Sequence, residues 1–110
     1  MPTKFFVSEI IREKIYGLFG EEIPYHTAVL VNSYKEQPLL IKIQADIVVN
    51  RETQKAIIIG EKGKMIKEIG VQARKDIEEF IGSKVYLELF VKVKPKWRDN
   101  DLKLKEYGYQ

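Results

Sequence analysis

The chain has no cysteine, one histidine and one tryptophan among its 110 residues, and these shortages narrow its chemistry before any motif is considered. Without cysteine, a disulfide framework and a thiolate-ligated zinc or iron–sulfur centre are both impossible. A single imidazole, His26, makes no histidine cluster for a metal. No Ser/His/Asp or Cys/His set offers itself for nucleophilic catalysis, so an enzyme is not expected. Nowhere does the sequence approach the roughly 18 uninterrupted apolar residues of a membrane-spanning helix. Its first residues, MPTKFFVSEI, place Glu9 where a secretion signal needs an apolar segment, so a cytoplasmic location is expected, with neither metal nor cofactor.

What is present suits one folded domain. A chain of this length buries roughly two-thirds of the surface that its unfolded form exposes. With 45% hydrophobic and 32% charged residues, it can supply a single core and a solvated surface. The net charge is only +3. Its distribution is more telling: Arg51 to Lys75 holds seven basic and three acidic residues, so this quarter carries +4 while the remainder sums to −1. A local basic excess of this kind favours a polyanionic partner.

Along the chain, Phe6, Val7, Ile10, Ile11, Ile15, Leu18 and Phe19 recur at spacings of three and four, which predicts a helix with one buried face, stopped at Gly20. Past Pro24, TAVLVNSY reads as a strand. After KEQP, a hairpin connection, Leu39, Ile41, Ile43, Ala45, Ile47 and Val49 alternate as a half-buried strand. Glu52 to Ile59 is open between strand and short buried helix, because periodicity does not separate the two over so short a run. From Lys64 to Ile81 the pattern is helical, with Ile66, Ile69, Ala73, Ile77, Phe80 and Ile81 on one face and Gly82 as its stop. KVYLELFVKVK then alternates strictly: Val85, Leu87, Leu89, Val91 and Val93 take one side, Tyr86, Glu88, Phe90 and Lys92 the other. Asp46 and Glu88 read as solvent-facing. Residues 99–110 suit a short terminal helix and tail. The order describes an α+β layer of helices on a three-stranded sheet, whose helical crossover makes the second and third strands parallel.

The stretch KAIIIGEKGKMIKEIG sets Gly60 and Gly63 between an isoleucine run and the long helix. Glycine disfavours helix by roughly 1 kcal/mol relative to alanine, so two at this junction call for a turn. With Gly63 at or just before the first helical turn, amide N–H groups and the positive end of the helix dipole would face an approaching phosphate. Lys62, Lys64 and Lys67 would add charge at the rim, and Ile58, Ile59 and Ile66 would floor a groove beside it. The spacing is not that of a Walker loop, since Ile58 stands where its first glycine belongs and Met65 where its Ser or Thr belongs. A dinucleotide-binding fingerprint would need a third glycine.

In its setting, this I-I-G-x-x-G-x-x-I core resembles the loop with which KH domains clamp about four backbone nucleotides. The helix-strand-strand prefix resembles the type II arrangement. SEIIREKIYGLFGEEIPYHTAV, QKAIIIGEKGKMIKEIGVQARKDIE, KVYLELFVKVKPKWRDN and LKEYGY together are similar to the C-terminal type II KH domain of the bacterial Era GTPase family along nearly the whole chain. The resemblance implies a type II KH fold (α-β-β-α-α-β, a mixed three-stranded sheet against helices) over residues 1–98, with Glu52 to Ile59 helical. It implies no catalysis by this chain, which lacks GTPase motifs: it is either the RNA-binding part of a GTPase or a free-standing domain. The implied ligand is single-stranded RNA, the 3′ end of small-subunit ribosomal RNA, and the implied partners are the small ribosomal subunit and a GTPase domain in cis, in a role in ribosome biogenesis. Gly60, Glu61, Lys62 and Gly63 would form the backbone clamp, although Glu61 departs from the usual basic pair by placing a carboxylate where phosphate passes. The alternative is a protein-interaction domain that docks a GTPase domain or ribosomal protein without touching RNA.

Overall fold

A computed structural model describes residues 3–20 and 22–96. The first helix, α1 (Thr3–Phe19), turns Val7, Ile11 and Ile15 fully inward and ends where Gly20 adopts a left-handed φ of 77°. The Gly20 N–H donates to the Tyr16 carbonyl at 3.1 Å, the closure expected of a helix-stopping glycine. A short helix that the sequence pattern does not announce, α2 (Glu22–Tyr25), follows and buries Pro24. Its four residues are too few for a period to register. Thr27 then ties it to the first strand by donating its hydroxyl to the Ile23 carbonyl at 2.7 Å.

The strands are β1 (Thr27–Glu36), β2 (Ile41–Val49) and β3 (Val85–Val93), in that spatial order. β1 and β2 pair antiparallel, and β2 and β3 pair parallel, as the helical crossover requires. A bulge between Val31 and Ser33 shifts the register of β1, so that Val29 and Val31 face the core before it and Tyr34, opposite Ile43, faces it afterwards. Burial there raises the pKa of the Tyr34 phenol above its ordinary value. Strand β1 therefore runs two residues further than the sequence suggests, and the connection to β2 moves with it. Leu39, assigned by alternation to the buried face of β2, lies in that connection and is 88% exposed.

Between the second and third strands come α3 (Glu52–Ile59) and α4 (Lys64–Ile81). The first of these resolves the local ambiguity in favour of helix. Its start is held by Gln54, whose Oε1 accepts the N–H groups of Asn50 (2.9 Å) and Arg51 (3.0 Å). Helices α1, α3 and α4 share one core with the sheet, built from Ile11, Ile15, Ile43, Ile47, Ile58, Ile69 and Ile77, all fully buried. Lys14 of α1 forms an ion pair with Asp76 of α4, and that hydrogen bond raises the Lys14 pKa above its usual value. Phe80 is less interior than its spacing implies: it is half exposed and packs its ring on Phe6, 5.5 Å between centroids.

On the other sheet face, Asp46 corrects its solvent-facing assignment. It is only 6% exposed and accepts from Lys92 Nζ at 2.8 Å, because β2 is the central strand and both neighbours shield it. Glu88 is half-buried and bonded to Gln44 at 2.9 Å. The C-terminal end of α4 is joined to the third strand by Glu78, whose carboxylate accepts the Val85 N–H at 2.8 Å. The short terminal helix expected from the sequence, with Trp97, Tyr107 and Tyr109, lies outside the described residues.

Because Ile77 is fully buried where α4 meets the sheet, Ile77→Ala is expected to cost about 2–5 kcal/mol. Leu39→Ser should change stability by less than about 0.5 kcal/mol, as an exposed loop site allows. Urea unfolding of the two variants checks the assignment.

Candidate nucleic-acid interface

The turn between α3 and α4 is dictated by a close approach of its own atoms. Gly60 has φ 77° and ψ 172°, a conformation open essentially to glycine alone, and its N–H closes α3 by donating to the Ala56 carbonyl at 2.9 Å. A Cβ on Gly60 would lie 2.5 Å from Met65 Cγ and 2.9 Å from the Met65 backbone nitrogen. The missing side chain at this position is thus required by the start of α4 itself. Glu61–Gly63 form one tight 3₁₀ turn in which Lys62 (φ 55°, ψ 27°) and Gly63 (φ 74°, ψ 16°) are both left-handed. Gly63 differs from Gly60 in that a Cβ there would meet nothing within 4 Å. Its bareness faces open space.

Gly63 stands at the N-terminal cap of α4, where the spacing places it. The helix start is not wholly bare. The Gly63 N–H donates to the Gly60 carbonyl at 3.1 Å and the Lys64 N–H to the Glu61 carbonyl, which corrects the expectation that the whole first turn offers its amides. The amides of Glu61 and Lys62 make neither of these bonds. They lie on exposed residues at the positive end of an 18-residue helix. Lys62, Lys64 and Lys67 are exposed around them, and no ion pair among the described residues engages any of the three. Uncompensated lysines around a helix start form a cation-rich rim able to receive phosphate.

Beyond this turn a groove of about 380 Å³ runs along α4 and β3, the edge strand of the sheet among the described residues. Ile66, Lys67, Gly70, Val71 and Arg74 form its helical wall; Val85, Tyr86, Leu87 and Leu89 form the strand wall. Of the sequence-predicted residues, Ile66 and Lys67 line it and Ile59 is half-buried at the end of α3. Ile58 does not reach the surface: it is fully buried in the core, because α3 turns that position inward. Sequence reading leaves out Gly70, Val71, Leu87 and Leu89. The available signal was a glycine well inside a helix beside Val71, an apolar residue off the core-facing stripe.

The opposite sheet face is chemically different. Tyr86 and Phe90 are half exposed there, but Lys42 pairs with Glu88 at 3.8 Å and Lys92 with Asp46 at 2.8 Å. Part of its positive charge is thus spent within the protein. His26 is half-buried and meets the Tyr25 ring edge-on at 5.1 Å, a packing role.

The profile of the KH domain family matches residues 22–98. Over its whole length the chain is 52% identical to GTPase Era of Geotalea uraniireducens (strain Rf4) and 50% identical to GTPase Era of Geobacter sp. (strain M21). It spans 37% of the length of each of these relatives. Among solved structures, it superposes with a TM-score of 0.95 and 43% identity on Era in complex with MgGDPNP and nucleotides 1506–1542 of 16S ribosomal RNA. A variant of Aquifex aeolicus Era bound to GDP and AlF4⁻ gives a TM-score of 0.94, also at 43% identity. Each match covers 99% of this chain and 37% of the solved one.

The two glycines should respond differently to a methyl group. Gly63→Ala places a side chain in a left-handed conformation without a clash and should cost about 1–2 kcal/mol. Gly60→Ala adds displacement of Met65 to backbone strain and should cost about 3 kcal/mol or more. Chemical denaturation of both variants measures the difference; equal costs would refute the close approach at Met65.

Proposed function

Because the chain belongs to the KH domain family, we propose that it holds single-stranded RNA, with the turn Gly60–Gly63 gripping the sugar-phosphate backbone and the α4–β3 groove receiving bases. The observation that carries this reading is the cluster of charge at the turn: Lys62, Lys64 and Lys67 stand on exposed residues around the start of α4 without a carboxylate partner, whereas Lys42 and Lys92 on the far sheet face are paired with Glu88 and Asp46. Phosphate contacts would set register and affinity, and groups lining the groove would distinguish bases. Glu61 weakens rather than abolishes such a grip, since its exposed side chain can turn into solvent while its amide still donates.

The likeness to an Era chain solved with nucleotides 1506–1542 of 16S ribosomal RNA supports the 3′ region of small-subunit ribosomal RNA as the ligand and ribosome assembly as the setting. The lengths of the relatives support a place for this domain as the RNA-binding part of an Era-like GTPase, the nucleotide chemistry belonging to a separate domain. In that arrangement residues 1–98 act as the RNA-binding unit and perform no catalysis.

Binding of short RNAs tests the proposal, comparing a small-subunit 3′-end sequence with a scrambled one. If about three phosphates are neutralised, the slope of log affinity against log salt is expected near −2 from the single-strand relation. A zero slope would refute the clamp. The paired substitution Glu61→Asp and Lys62→Asp should abolish binding while leaving the fold intact, because Asp tolerates the left-handed conformation at 62. Unaltered binding by a folded double variant would refute the clamp, whereas no RNA binding by the unsubstituted domain would favour a protein-docking role. Glu61→Lys should tighten binding several-fold at low salt, with the gain shrinking as salt screens it.

A further inference from the structure

Among the groove-lining residues, Gly70 is the least explained by the fold. It lies in the interior of α4 with an ordinary helical backbone, where glycine is a poor choice. No turn, left-handed angle or tight packing requires it: a Cβ built there meets only Leu89 Cδ1, at 3.9 Å, an ordinary contact. Alanine would therefore fit the folded domain and favour its helix. What the missing side chain leaves open is the floor of the groove, with Ile66, Lys67, Val71 and Arg74 around it on α4 and Leu87 and Leu89 opposite on β3. Val71, 51% exposed, is an apolar flank with nothing of the described protein over it.

We infer that Gly70 is a base-access position, whose absent side chain lets the plane of an RNA base lie against the backbone of α4, between that helix and Leu89 of β3. This rests on the RNA reading of the neighbouring turn. Seven residues separate Gly70 from Gly63, about 10 Å along the helix axis, so Gly70 is beyond reach of the phosphates gripped by the turn and meets the bases that follow them. Lys67 and Arg74, one turn before and one turn after it on the same wall, are exposed and engaged in no ion pair among the described residues, so the strand's phosphates have cations on both sides of the base. The base itself is held by apolar contact with Val71 and Leu89, which buries its flat face without reading its hydrogen-bonding edges.

The test compares the unsubstituted domain with Gly70→Ala, Gly70→Leu and Gly17→Ala by thermal unfolding and by binding to the 3′-end RNA oligonucleotide. Gly17 is a matched control, since it also lies within a helix, is exposed, has nothing within 4 Å of a built Cβ and sits on α1, which contributes nothing to the groove. Gly70→Ala should raise the melting temperature yet weaken RNA binding about fourfold or more, the equivalent of losing about one methylene's worth of buried apolar contact. Gly70→Leu should weaken it further, and Gly17→Ala should leave it unchanged. Wild-type affinity in both Gly70 variants, with Lys62-dependent binding intact in the parent, would overturn the inference while sparing the clamp. A lowered melting temperature for Gly70→Ala would also overturn it, by showing that packing selects the glycine. No binding by the unsubstituted domain would remove clamp and inference together.

Discussion

The contact between Gly60 and Met65 is the constraint from which the rest of the site follows. Met65 belongs to the first turn of α4, and its backbone nitrogen and side chain occupy the volume where a Cβ on residue 60 would stand. That approach fixes how soon α4 may begin after α3 ends. Four residues then reverse the chain, three of them at positive φ, before a long helix that packs beside β3.

Strain and charge are stored together at this point. Lys62 holds a left-handed conformation that lysine rarely adopts, and it does so on an exposed turn where no packing rewards it. Residues kept in such conformations gather where a ligand is to be met. The same asymmetry appears in the cations. Lys14, Lys42 and Lys92 are committed to carboxylates of the domain, whereas Lys62, Lys64 and Lys67, clustered at the start of α4, are not.

The groove has two walls of unequal character. Its helical wall carries the charges and the opening at Gly70; its strand wall carries leucines that remain only partly buried because β3 is the last strand of the sheet. Glu78 matters here despite being remote from the turn, since its hydrogen bond to the Val85 amide sets where that wall begins. A domain of this size thus divides one amphipathic helix between two tasks. Ile69, Ala73 and Ile77 hold the core, and the adjacent flank faces the ligand path.

The sequence by itself determined the elements whose signal is local: the periodicity of α1 and α4, the alternation of β2 and β3, the stops at Gly20 and Gly82, and a turn of two glycines in a basic segment. These depend on residues within a few positions of one another, where pattern and propensity agree. Local pattern left Glu52 to Ile59 open, and the structure agrees with the family resemblance that it is helical; tertiary structure alone decided that Ile58 belongs to the core and not to the groove, and that Asp46 is buried against Lys92. It also decided that Gly60 and Gly63 are glycine for different reasons, one facing Met65 and the other facing open space. Burial and clearance are properties of neighbours brought together across the chain, and no local spacing carries them.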